Sequence, residues 1–174
     1  VPVPTPAPTR IRTDLQTPVF VFQAETDTRA TRQPDTAVFR QWEVAGTAHA
    51  DLYVLGIGQT DTGRNATASQ RLFDGMRNPV AEPLPGVLPA CNLGVNSGPH
   101  VWVLQAAVRH LERWVRLGIQ PPSGGPGIVD PLVLDANGNV TGGIRTPHVD
   151  VPVATIRGTG NAARSAQKRS NAAA

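Results

Sequence analysis

The chain has 174 residues, of which 40% are hydrophobic and 17% charged, a composition that supports one folded domain and excludes a wholly disordered polymer. The net charge is +3, but the arginines are spread along the chain and only Lys168 contributes a lysine to the 16 basic residues. Since a nucleic-acid-binding face concentrates its cations on one surface, we predict no nucleic-acid partner.

The first elements predicted along the chain are two strands that follow a proline-rich lead. The lead covers residues 1–16, and a continuous apolar run over residues 18–22 then predicts a strand buried on both faces, as in a parallel sheet. Residues 39–44 predict a second strand, which ends in a turn of small residues that leads to His49. Each strand is therefore followed by a loop that presents polar side chains.

The clearest predicted helix runs from about residue 101 to residue 117. Its apolar side chains recur every three or four positions and form a stripe that we expect to face the core: Val101, Leu104, Val108, Leu111 and Val115, widened by Ala107 and Trp114. Gly118 suits the end of this helix. A short helix is predicted over residues 69–77, a loop over residues 56–68 and irregular chain over residues 78–99.

The C-terminal third predicts extended structure with a turn. Residues 132–134 and Val140 flank an Asn-Gly pair, which indicates a β-hairpin. Residues 149–156 alternate like an edge strand, and residues 161–174 are small, polar and basic, which is typical of a disordered tail. No apolar run approaches the roughly 20 residues that a membrane-spanning helix needs.

The two strand-to-loop junctions carry the residues most suited to catalysis. Asp27 or Glu25 follows the first strand, and His49 follows the second. Because the carboxyl ends of parallel strands meet at one edge of a sheet, we expect an acid and a histidine to lie together there. A carboxylate that orients an imidazole is half of a nucleophile–histidine–acid triad.

Several stretches resemble α/β-hydrolases. PVFVFQAETD is similar to a late strand with its acid loop, EVAGTAHAD to the next strand with its histidine loop, and the order acid then histidine is that of the family. The resemblance covers about residues 17–160, and GGIRTP…VDVPVA is its most specific part. It implies an α/β fold: the C-terminal part of a mostly parallel sheet with a covering helix and an appended β-hairpin region.

The resemblance also implies a function, which is hydrolysis of carboxylic ester-type bonds in a small-molecule substrate. Asp27 takes the position of the triad acid, with Glu25 as the alternative, and His49 that of the base. The sequence has no G-x-S-x-G motif for the serine, so we predict that the N-terminal half of the domain is missing and that this chain alone is inactive. The alternative is a non-catalytic binding module or an inactive fragment of the same fold.

The remaining chemistry-bearing residues give weaker predictions. His100, at the start of the long helix, is a candidate substrate contact. Cys91 is the only cysteine, which excludes an internal disulfide, and nothing around it indicates an activated thiol. The four histidines have no metal-binding spacing, so we predict neither a metal nor an organic cofactor.

Overall fold

The computed structural model describes residues 9–28, 32–82, 90–152 and 154–159. In chain order the elements are strand β1 (Val19–Ala24), strand β2 (Phe39–Val44), helix α1 (Thr67–Arg77), helix α2 (His100–Leu117) and the short helix α3 (Pro147–Asp150). A 3-10 turn at Glu25–Asp27 follows β1, and a π-helical turn at Tyr53–Ile57 precedes α1. Residues 161–174, the predicted disordered tail, lie outside the described residues.

The sheet is parallel, as the sequence predicts. β1 and β2 pair with Phe22 opposite Trp42 and Ala24 opposite Val44, and the described residues contain no other named strand. One face of the sheet is aromatic, because Phe20 and Trp42 pack edge to face with ring centroids 4.9 Å apart. Both strands end at the same edge, which brings the loops that follow them side by side.

The opposite face of β2 carries a buried polar network that the sequence analysis did not predict. Glu43 is 3% exposed and forms an ion pair of 2.9 Å with Arg32. Its carboxylate also accepts hydrogen bonds from the amide of Gln41 and the backbone N–H of Ile128. Because each Glu43 oxygen has a hydrogen-bond donor, this charge is compensated within the fold.

Helix α2 covers the aromatic face of the sheet with only part of the predicted stripe. The side chains that reach the sheet are His100 against Phe22 and His110 against Trp42, with Trp114 buried nearby. These three positions are 10 and 4 residues apart and lie on one side of α2, so a seam containing two histidines faces inward. Aromatic packing against the sheet sets the helix rotation.

The predicted core-facing stripe of α2 is therefore partly wrong. Val101, Ala107 and Trp114 are buried as expected. Leu104, Val108 and Val115 are instead 37%, 59% and 62% exposed. The apolar residues of α2 cover more of its circumference than the two-stranded sheet can bury. The end of the helix is predicted correctly, because Gly118 adopts φ 69° and its N–H bonds the carbonyl of residue 114.

Helix α1 packs into a small apolar core with the segment before it. Buried side chains from the π-helical turn, α1 and α2 make this core: Leu52, Ile57, Ala68, Leu72, Val95 and Val101. The predicted short helix is confirmed and begins at Thr67. The predicted loop over residues 56–68 is wrong at both ends, because the π-helical turn runs to Ile57 and α1 begins at Thr67.

The chain after α2 closes the outer edge of β2. Ile144 forms a parallel bridge with Val44, and the backbone of Ile144 bonds to both Glu43 and Ala45. In the region of the predicted hairpin the structure shows one antiparallel bridge, between Leu134 and residue 140. Through this bridge, Ile144 extends the sheet by one position beside β2.

The edge strand predicted over residues 149–156 is wrong. Residues 147–150 form helix α3, and the described residues that follow it, 151, 152 and 154–156, form no strand. Thr146 is extended and Pro147 occupies the first helical position, where its missing N–H has no cost. Val149 is fully buried in a second core cluster with Ala45 and Ile128.

Within the described ranges, no helix is both long enough and apolar enough to cross a membrane.

Candidate active site

Asp27 lies in the 3-10 turn directly after β1, and its side chain is held by the strand end. Its Oδ2 accepts a hydrogen bond of 3.0 Å from the backbone N–H of Ala24, and the amide of Gln23 donates to its carbonyl. These contacts fix the carboxylate in one orientation. The second oxygen, Oδ1, is turned toward the loop that follows β2.

His49 lies in that neighbouring loop and meets Asp27. The Nδ1 atom of His49 is 3.1 Å from Oδ1 of Asp27, and the backbone N–H of His49 donates to the hydroxyl of Thr26 at 2.9 Å. The His49 side chain is 79% exposed, against 31% for Asp27. With Nδ1–H donating to the carboxylate, Nε2 is the nitrogen that is free to accept a proton.

Glu25 has a different position from Asp27, although both belong to the same turn. It is 2% exposed, and its two oxygens accept hydrogen bonds from the backbone N–H groups of Gly46 and Gly158, at 2.9 and 3.1 Å. Burial raises the pKa of the Glu25 carboxyl above its ordinary range, while the same two hydrogen bonds act in the opposite direction. Glu25 thus ties the acid turn to the histidine loop and to the C-terminal segment.

Gly46 is required where the histidine loop leaves β2. Its φ of 72° is a left-handed conformation, and a Cβ atom there would lie 2.7 Å from Cγ2 of Val149. Its carbonyl accepts a hydrogen bond from the side-chain amide of Asn96, which also bonds the carbonyl of Arg157. The loop is therefore held from several sides, which suits a precisely positioned imidazole.

His100 lies beside the histidine loop, in contact with a buried acid. Its Nδ1 is 3.6 Å from Oδ2 of Asp51, and its ring packs against Phe22 with centroids 5.4 Å apart. Asp51 is fully buried, and its other oxygen accepts a hydrogen bond from the N–H of Val54. The Oδ2 atom of Asp51 has no hydrogen-bond partner within the described part of the chain. The sequence analysis did not predict this second acid–histidine pair. The only local signal for it is an aspartate, Asp51, two residues after His49.

The GGIRTP stretch, which had no assigned role, supports the site through Arg145. This side chain forms ion pairs with Asp135 and Asp150 at 2.9 and 2.6 Å and bonds the carbonyl of Val149 at 3.1 Å. Hydrogen bonds, first from the Asn139 backbone and then from Arg145, hold the pKa of the Asp135 carboxyl below its usual range. The stretch therefore braces the segment that carries Val149 beneath the histidine loop.

The other candidates lie away from the His49 contact. Cys91 is a free thiol of intermediate burial beside the core cluster of α1. The start of α2 has no side-chain cap, and the Oδ1 atom of Asn96 accepts the N–H of Gly98 just before the helix. Among the described residues, no group of three or more His, Cys, Asp or Glu side chains is arranged to hold a metal ion.

Comparison with known proteins gives one family match. A family model described as an alpha/beta hydrolase domain matches residues 2–171. No curated protein and no solved structure matches the chain. The match spans both loops of the candidate site as well as the segment that braces them.

Proposed function

Because the chain belongs to the alpha/beta hydrolase domain family, we propose that it provides the acid and the histidine of a serine-hydrolase triad. The reaction is hydrolysis of a carboxylic ester-type bond in a small molecule. The observation that carries the proposal is the 3.1 Å contact between His49 Nδ1 and Asp27 Oδ1 at the carboxyl ends of two parallel strands. We assign the acid role to Asp27 rather than Glu25, since both Glu25 oxygens bond backbone amides.

In the proposed mechanism, Asp27 keeps His49 in the tautomer that has its proton on Nδ1. The Nε2 atom takes the hydroxyl proton of a serine as the serine oxygen attacks the ester carbonyl, and the imidazolium then returns the proton to the leaving alcohol. Water repeats the sequence and releases the acid. The serine belongs, in this proposal, to a part of the protein outside these 174 residues. His100 remains a proposed substrate contact through Nε2, because its Nδ1 is turned toward Asp51.

A surface for the rest of the domain is part of the same proposal. Within the described residues β1 pairs only with β2, so its other edge is free to bond a further parallel strand. The exposed side chains of Leu104, Val108 and Val115 add an apolar face on the covering helix. We assign both surfaces to the half of the domain that carries the nucleophile.

The serine mechanism is tested on the native longer product with a serine-directed fluorophosphonate and a chromogenic ester. We expect labelling and turnover in the native product, and loss of turnover in the variant His49→Ala. Arg113→Ala is the control, because Arg113 is exposed on α2 and belongs to neither site loop. A native product that binds esters without labelling would support the binding-module alternative.

The acid–histidine contact can be tested on this chain without any turnover. Long-range ¹H–¹⁵N spectra report which ring nitrogen of neutral His49 carries the proton. We expect the Nδ1–H form in the native chain and the Nε2–H form in Asp27→Asn. Asp14→Asn is the control, since Asp14 is exposed and pairs with Arg12. An Nε2–H tautomer in the native chain would contradict the proposed orientation.

The missing-half surface is tested by hydrogen exchange. We expect the β1 amides at the free edge to exchange faster in this chain than in the native longer product, because an added strand protects them. The backbone N–H groups of Ile144 and Ala45, which donate to the carbonyls of Glu43 and Ile144 respectively, are the internal control and keep the same protection. Equal exchange of β1 in both proteins would exclude strand addition at this edge.

A further inference from the structure

A sizeable cavity lies away from the His49–Asp27 pair. It has a volume of about 700 Å³ and is bounded by α1, the first half of α2, β2 and the segment from Ile144 to His148. Neither His49 nor Asp27 lines it. The volume lies within the range of small-molecule sites.

One wall of this cavity is a cluster of three aromatic rings from three different helices. Trp102 of α2 and His148 of α3 are nearly parallel, with an angle of 16° between the rings and centroids 5.6 Å apart. Phe73 of α1 lies 5.4 Å from Trp102 at 31°. Phe73 also lies 6.2 Å from His148 at 34°, so the three rings contact one another, and Phe73 remains 43% exposed.

The rest of the lining is apolar and uncharged. Trp42 of β2, Pro99 and Ile144 complete the apolar surface, and the hydroxyls of Ser69 and Thr146 are among its few polar groups. No Asp, Glu, Lys or Arg is among the described residues that line the cavity. A charged ligand group would therefore lose its hydration without gaining a counter-charge, whereas a flat uncharged ring would not.

We propose that this cavity, the aromatic cleft, is a binding site for an uncharged aromatic compound. A planar ring stacks against the Trp102–His148 wall with offset or edge geometry, as aromatic pairs prefer. Phe73 closes over one side of the ring, and the hydroxyl groups at the rim orient a polar substituent. The proposal does not depend on the triad, because no catalytic candidate contributes to the cleft.

The proposal distinguishes an aromatic site from a general apolar groove. The preference of π faces for each other adds to the burial of apolar area. We therefore expect a ring-matched saturated compound to bind about tenfold more weakly than the aromatic one. Replacing Trp102 by Leu preserves an apolar side chain but removes the flat wall, so it should abolish this difference.

The test uses this chain with 2-naphthalenemethanol and its saturated decahydro analogue as probes. Dissociation constants come from saturation-transfer NMR, and the indole N–H signal of Trp102 reports the location. We expect saturable binding of the aromatic probe, a shift of that signal, and at least tenfold weaker binding in Trp102→Leu and Phe73→Leu. Leu117→Ala, at the exposed C-terminal end of α2, is the control and leaves binding unchanged.

The outcomes separate the alternatives. Equal affinity for both probes would overturn the aromatic preference, and the absence of saturable binding would overturn the site. If Trp102→Leu fails to fold, as judged by circular dichroism, Phe73→Leu carries the test, because Phe73 lies on the outer side of α1. If the aromatic probe binds this chain but the native product is not labelled by the fluorophosphonate, the triad is rejected and the aromatic cleft is supported. The two proposals can therefore fail independently.

Discussion

Substitutions of Glu25 and Asp27 should separate structural support from catalysis, because the two carboxylates of one turn have different partners. Glu25 accepts the backbone N–H groups of Gly46 and Gly158 in a buried position, whereas Asp27 contacts the exposed ring of His49. Glu25→Gln keeps one acceptor oxygen but turns an NH₂ donor toward the other amide. The unsatisfied buried amide costs about 1–3 kcal/mol.

The two variants should therefore differ in opposite directions in two assays. In urea unfolding of this chain, followed by tryptophan fluorescence, Glu25→Gln loses about 1–3 kcal/mol. Asp27→Asn loses less, because the side chains of His49 and Asp27 are 79% and 31% exposed. In ester turnover by the native longer product, Asp27→Asn lowers kcat by roughly 10⁴-fold, as loss of the orienting acid does in serine hydrolases generally. Glu25→Gln, assayed where it is fully folded, retains most of the activity.

The reverse result would refute this reasoning. A folded Glu25→Gln protein without activity, together with an active Asp27→Asn protein, would make Glu25 the triad acid. Thr28→Ser is a suitable control for the turn, since its hydroxyl bonds the Glu25 carbonyl and both residue types retain that group. It should change neither stability nor turnover.

Three further predictions concern stability of this chain. Burial raises the folded-state pKa of Glu25, so the folded chain binds that proton more tightly than the unfolded chain does, and the free energy of unfolding should fall as pH rises above about 4.5. Urea unfolding at a series of pH values should show this slope. The same slope in Glu25→Gln would contradict Glu25 as its cause. Glu43→Ala leaves buried donors unpaired and should cost about 3 kcal/mol in the same assay, while the exposed Glu112→Ala should cause no measurable change. Gly46→Ala should destabilise by more than about 1–3 kcal/mol, since it adds a steric clash to a left-handed φ. Gly63→Ala, with a similar φ and open space, is its control, and equal losses in thermal melts would show that the contact with the core is unimportant.

The sequence predicts those parts of the fold that depend on local pattern. The strand ending before Glu25, the strand ending before His49 and the stop of α2 at Gly118 follow from apolar runs and one left-handed glycine. The meeting of Asp27 with His49 follows from parallel topology, because two such strands end at one edge. These features need no knowledge of distant contacts.

The parts that could not be predicted depend on contacts across the chain. Glu25 binds Gly158, which is 133 residues away, and no local pattern distinguishes it from Asp27. The rotation of α2 depends on the packing of the His110 ring against Trp42. The aliphatic pattern alone therefore placed Leu104, Val108 and Val115 on the buried face, although they are exposed. The missed helix α3 did carry a local signal, since a proline after Thr146 is typical of a first helical turn.

The segment from residue 142 to residue 158 links these long-range contacts to the site. Ile144 extends the edge of β2, Val149 fills the space that Gly46 leaves open, and Gly158 donates to the acid-turn carboxylate of Glu25. The positions of both site loops are thus fixed from the C-terminal side, although none of these residues touches the imidazole in the described contacts. A stretch can therefore be the most specific part of a family pattern without carrying a reacting group. The groups of a triad must be positioned to within a few tenths of an ångström, and that precision depends on the residues that hold their loops.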